Sequence, residues 1–280
     1  MITSLLILQV LTAQLPFVDI FDVAVGSFGN GLGNGLTAYY KLDEVSGQAL
    51  DSGPSGLHIP NVGSPSSTAG IILNSRWIVT GGQSGFVRTN NAAFETSATG
   101  FTIGFWVKFT TALTVGQNYV LIGKGNGATA QWSWAMSIQN SGGGTYYFQF
   151  PVTYDGNNTP GFYLQTPADS FTLNTWYCVM GRINNVGTTK QTWLDIRKVG
   201  NNWSQDDVTQ SNIYTANSPI SIGGWSSSPT TIDPGMPAPS GTILDELAFW
   251  NRALTDCERD QFFNLGAGKA FSTYDILPCQ

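Results

Sequence analysis

Charge is what this chain has least of. Only 11% of its 280 residues are charged, and the formal net charge is −6. The twelve Lys and Arg residues gather into no basic patch to neutralise phosphates, which argues against a nucleic-acid partner. There is one histidine, His58, in a turn with no Ser-in-Gly motif near it, so a Ser-His triad has no footing. The three cysteines, Cys178, Cys257 and Cys279, lack metal-ligand spacing. Cys178 reads as a buried core thiol in "TWYCVMGRI", and Cys257 and Cys279 are candidates for a disulfide across the C-terminal tail. No long apolar run is present either. Residues 3–13 are apolar but too short to span a membrane. No Lys or Arg precedes Lys41, whereas a secretory signal begins with a basic segment. The start therefore reads as a retained apolar arm on the Gly/Asn hinge 26–35. Such an arm must bury itself on its own domain or on a partner subunit.

What the chain does have is glycine, 33 residues of it, and 12% aromatics. From Gly35 onward short apolar strands alternate with Gly/Asn/Ser/Pro turns. In "FTIGFWVKF", Phe101, Ile103, Phe105, Val107 and Phe109 face one way. In "WSWAMSIQ", Trp132 and Trp134 share a face with Met136 and Ile138, which predicts core packing for both. About a dozen such strands with no helix between them predict an all-β, two-sheet antiparallel jelly-roll sandwich. One short C-terminal helix is signalled, because Thr255 and Glu258 form a Thr-x-x-Glu capping box. Gly266 is its natural stop, and Phe262 with Leu265 forms its apolar edge. The expected organisation is an arm over 1–34, the sandwich over 35–270 and a tail over 271–280.

The order "GLTAYYKLDEVSGQALDSGPSG", "FTIGFWVKF", "VLIGKG", "NTWYCVMGRI", "SPISIGGW" and "TILDELAFWNRALTDCERDQF" resembles the laminin G-like, concanavalin A-like lectin jelly rolls over roughly residues 35–265. The opening Tyr-x-Lys-Leu-Asp-Glu and the closing Leu-Asp-Glu-Leu are its most specific parts. Period two places Asp245 in a row with Ile243, Leu247 and Phe249, where a carboxylate needs a cation or several donors. The resemblance implies structural calcium held by Asp245 and by Asp51 of "LDSGPSG", with Asp43 a third ligand or a turn residue. The alternative is a carboxylate held by backbone N–H groups or by Arg252. The loop after Asp51 departs from the family by carrying Pro54, Leu57, His58 and Pro60.

Glycoside hydrolases occur on the same sandwich, but they need two carboxylates in an open cleft. "LDEL" puts Asp245 and Glu246 on opposite faces, and Asp206/Asp207 fall in a stretch that reads as a solvated loop. Glycan binding is the better expectation, through aromatics in loops. Trp225, Trp203 and Tyr154 sit in predicted turns, and the irregular stretch 224–241 is the best place to look. The function expected is a non-catalytic structural or adhesion protein on a phage virion surface, as a capsid decoration or a tail or fibre appendage. It would display the sandwich to a glycan or host-surface polysaccharide and meet other subunits through residues 1–35. A secreted bacterial carbohydrate-binding lectin or adhesin is the alternative, and a glycoside hydrolase the remote one.

Overall fold

The computed structural model describes residues 31–274, apart from 79–82, 97, 128–130, 155–159, 168, 171 and 210–212. The expected arm up to residue 30, and Cys279, lie outside the described residues. Short strands come first: β1 (Leu36–Tyr40), β2 (Asn61–Val62), β3 (Ser66–Ala69), β4 (Asn74–Ile78) and β5 (Gly85–Arg88). Longer ones follow: β6 (Gly100–Phe109), β7 (Asn118–Asn126), β8 (Gln131–Gly142), β9 (Thr145–Thr153) and β10 (Pro160–Gln165), then the brief β11 (Asp169–Ser170). Next come β12 (Tyr177–Asn184), β13 (Lys190–Lys198), β14 (Asn201–Thr209) and β15 (Ile220–Ile222). The strands end with β16 (Gly224–Ser228), β17 (Thr231–Pro237) and β18 (Thr242–Trp250). One α-helix, α1 (Asp256–Phe263), is present among the described residues.

The strands form two sheets. The first runs β14-β13-β12-β6-β18-β4-β3, with β1 also paired to β18. The second runs β10-β9-β8-β7-β15-β5-β2, and the β16–β17 hairpin joins it beside β7. All pairings are antiparallel except one parallel bridge between Ser226 and Asn126. The alternation of β6 explains the core. Phe101, Ile103, Phe105, Val107 and Phe109 all lie between the sheets, against Trp134, Met136, Ile138, Phe148 and Phe150. Each such side chain taken from water contributes about 1.5–3 kcal/mol.

The other face of β6 is also covered. Trp106 packs with Cys178, Met180, Ala248 and Trp250 under Phe262, Phe263 and Tyr274. Gly104 gives the helix its close approach there, since a Cβ would lie 3.0 Å from the Met180 methyl and 3.2 Å from the Phe262 ring. The capping box is formed: Glu258 N–H donates to the Thr255 hydroxyl, and Thr255 N–H to the Glu258 carboxylate. Two details differ from expectation. The helix stops at Asn264, which takes the left-handed conformation at φ 46°, two residues before Gly266. Leu265 is 91% exposed, because that early stop swings it outward and leaves Phe262 and Phe263 as the buried edge.

Ion pairs hold the helix to the first sheet. Asp195 on β13, almost fully buried, accepts from Arg182 Nε at 2.8 Å and from Arg259 Nη1 at 2.9 Å. Both arginines also reach Asp256 at the start of α1. Cys178 is a free buried thiol whose pKa burial pushes up. Cys257 is disulfide-bonded.

Candidate functional site

The carboxylate of Asp245 does not stand in the core row that period two assigns to it. Between Asp245 and Ala248, β18 advances three residues while β6 advances two, from Trp106 to Gly104. This is a β-bulge, with Glu246 at φ 50° taking up the extra residue. Leu244 before it, and Leu247 and Phe249 after it, face the core. The bulge turns Asp245 to the outer side, opposite Trp106, where the β3–β4 turn covers it completely. Its Oδ2 accepts from Ile71 N–H at 2.8 Å and Ile72 N–H at 3.2 Å, and its Oδ1 from Glu246 N–H at 3.1 Å. Burial nevertheless pushes its pKa up to about 8. Gly70 is required beside it, because a Cβ there would collide with Oδ2.

Asp51 is satisfied separately. Its Oδ1 accepts from Tyr39 N–H at 2.9 Å and Gly53 N–H at 2.7 Å, and its Oδ2 from Leu57 N–H at 2.8 Å. His58 closes the same loop by accepting from Asp51 N–H at 3.0 Å through Nδ1. Asp43 accepts from Asn74 N–H at 2.9 Å, so Asp43 and Asp245 pin one turn while Asp51 organises another. Arg252 serves none of them and pairs with Glu258 instead. This arrangement does not fit a calcium ion shared by Asp51 and Asp245. The ion needs six to eight oxygens, whereas the groups aimed at these carboxylates are N–H donors. Among the described residues no three acidic, His or Cys side chains gather as a metal site.

A groove of about 270 Å³ lies elsewhere, on the outer face of the second sheet. Val120, Trp132, Ala135, Ser137 and Pro151 form its floor, Tyr163 one side, and Trp225 with Met236 of the hairpin the other. Two alternate glycines of β7, Gly123 and Gly125, and Gly127 just past its end make the hairpin's seat. A Cβ on any of them would collide with the Trp225 indole or lie against its edge. Trp225 meets Trp132 edge to face, with centroids 6.2 Å apart. Trp132 and Trp225 are only 7% and 6% exposed, so the open ring belongs to Tyr163, at 46%. A ladder of neutral polar groups runs across the same face. Gln149 accepts from Ser137 and donates to Gln139 and Gln165.

Several sequence expectations change here. The stretch 224–241 is a β-hairpin for most of its length, and Trp225 stands on β16, not in a turn. Trp132 does not join Trp134 in the core. Trp134 pairs with Lys124 and Trp132 with Gly125, so β8 gains a residue over β7 and turns Trp132 outward. Trp203 lies on edge strand β14 and packs against the main core. Asp206 and Asp207 share that strand, which is exposed along this part. Tyr154 is in a bend, as expected, but packs against the main core. Of the three aromatics singled out in the sequence, only Trp225 lines the groove. Tyr163 was missed because one tyrosine on a strand carries no signal of the ledge around it.

The sandwich is one that other proteins use. The binding domain of Paraclostridial Mosquitocidal Protein 1 superposes with a TM-score of 0.54 at 15% identity, covering 83% of this chain and 52% of that one. The structure described as HCR/D-Sa-GBL1/C gives 0.54 at 12% identity, with 83% and 52% covered. Full-length tailspike protein 2 of Escherichia coli O157:H7 bacteriophage CAB120 gives 0.44 at 10% identity, with 70% and 24% covered. The chain spans about half the length of the first two, and at these identities the likeness concerns the fold alone. No curated protein matches the chain by sequence. A family profile described as the concanavalin A-like lectin/glucanases superfamily matches residues 80–258. That match covers more than half of the chain, and the protein belongs to this superfamily.

Proposed function

We propose that the protein is a non-catalytic carbohydrate-binding module and that the groove between Tyr163 and the β16–β17 hairpin holds the glycan. The observation that carries this reading is the groove's make-up, an aromatic wall and ledge beside the neutral amide of Asn118 and the hydroxyl of Ser137. Sugars are held by this combination, their C–H faces on rings and their hydroxyls on Asn, Gln and Ser. The floor is held in place from below, since the hydroxyl of Ser137 donates to the buried Gln149, itself bonded to Gln139 and Gln165, so binding costs little reordering. Catalysis finds no support in "LDEL", because Asp245 and Glu246 are 0% and 2% exposed and reach no cleft. The same sandwich is a binding domain in the Paraclostridial protein.

The test is titration calorimetry of the full chain against a panel of plant, bacterial and animal oligosaccharides. Binding to one of them, reduced at least about tenfold by Tyr163→Ala, supports the reading, a factor that corresponds to about 1.4 kcal/mol. Binding unaffected by Tyr163→Ala and by Trp225→Ala places the glycan elsewhere. The finer part of the proposal is display on a virion surface, with residues 1–35 docked on other subunits, or secretion as a free lectin. It rests on the apolar, basic-free character of residues 3–13.

A further inference from the structure

The groove's charge pattern says which sugars it takes, an inference that rests on the carbohydrate-binding reading above. None of the twelve Lys and Arg residues lines it. Among the described strands of the second sheet only Lys124 and Arg88 carry a cation, and both are committed elsewhere. Lys124 points away from the groove to Glu95, Nζ to Oε1 2.6 Å, and donates to the carbonyls of Ala216 and Ser218. Arg88 donates to the His58 carbonyl at 2.5 Å. Among the described residues, the one charged group at the groove's corner is a carboxylate. Asp233, on β17 and half-buried, has its Oδ2 2.6 Å from the Cβ position of Gly127, a groove residue, and the indole Nε1 of Trp225 lies 3.1 Å from that same position. Its Oδ1 is held by Gly235 N–H at 2.8 Å, which fixes the side chain and leaves Oδ2 toward the corner.

We infer that the groove selects uncharged glycans and turns away anionic ones, with Asp233 as the residue that sets this preference. A carboxylate accepts hydrogen bonds from sugar hydroxyls, and it holds them more strongly than a neutral acceptor does. A uronic or sialic acid brings a second negative charge into a partly enclosed site with no cation to offset it. Like charges so placed repel, and desolvation adds to the cost. Gly127 belongs to the same device, because any side chain there would stand between Asp233 and the indole.

The experiment compares sugars that differ only at the charged group. Galacto- and gluco-configured neutral oligosaccharides are titrated into the full chain beside uronic-acid oligosaccharides of the same length and linkage, with sialyllactose as a further anion. The neutral member of a pair should bind at least about tenfold more tightly, and Asp233→Asn should shrink that gap to about threefold or less while weakening neutral binding. Asn keeps the acceptor for Gly235 N–H, so the corner should stay folded. A uronic acid that binds as well as its neutral partner, or a gap unchanged in Asp233→Asn, overturns the selectivity while Tyr163→Ala still reports whether the groove is used. Binding that survives both Tyr163→Ala and Trp225→Ala sinks the groove reading itself. No binding to any member of the panel sinks both.

Discussion

At the scale of single residues, two adjacent acids show how burial competes with hydrogen bonding. Asp245 has three N–H donors and Glu246 has no partner for Oε2 among the described residues, yet burial pushes both up to about 8. In the unfolded chain they ionise near 3.8 and 4.5. The folded state therefore holds their protons more tightly, and stability is complete below about pH 4 and lost as pH rises through 8. The melting temperature should fall across that window, each group costing up to about 1.4 kcal/mol per pH unit. Glu246→Gln mimics the protonated form and should flatten the decline, which thermal melts from pH 4 to 9 will read. A flat wild-type profile would mean both acids ionise freely in the fold. Repeating the melts with calcium and with EGTA tests the calcium that the family resemblance implies. With Asp51 and Asp245 both facing N–H groups, no shift is expected.

At the scale of elements, α1 owes its place to charge as much as to its apolar edge. Its eight residues are too few to be stable alone, so docking has to hold it. Phe262 and Phe263 supply the contact, and Asp195 ties Arg182 and Arg259 to β13. Asp195→Ala should cost about 3 kcal/mol in urea unfolding, because it takes from two largely buried cations their one buried partner and leaves them only exposed carboxylates such as Asp256. Thr255→Ala removes only a cap and should cost about 1 kcal/mol. Equal losses would mean that the ion pairs contribute no more than the cap. The helix position and its capping box were legible in the sequence, being local chemistry. Its partner was not, since Asp195 lies 64 residues from Arg259 along the chain.

At the scale of the whole molecule, the open question is what carries the sandwich. If residues 1–35 dock on other subunits, the native protein should run as a large particle in size-exclusion chromatography with light scattering. A monomer of about 30 kDa would favour the free lectin. The described end of this region is tied to the body. The Trp250 indole donates to the Leu32 carbonyl at 2.6 Å, and Arg252 to Gly31 and Asn34 at 3.0 and 2.8 Å.

What the sequence determined by itself was everything that depends on neighbours in the chain. The strand alternation of Phe101 to Phe109, the turn-forming glycines and the Thr255–Glu258 cap all follow from local geometry and solvation. The tertiary structure alone decided where alternation breaks. Bulges at Glu246 and beside Trp132 each insert one residue into a pairing, and one residue reverses every side chain beyond it. They carry Asp245 out of the core row and Trp132 onto the groove floor. Neither can be read from a single strand, because a bulge is defined by the partner that does not contain it.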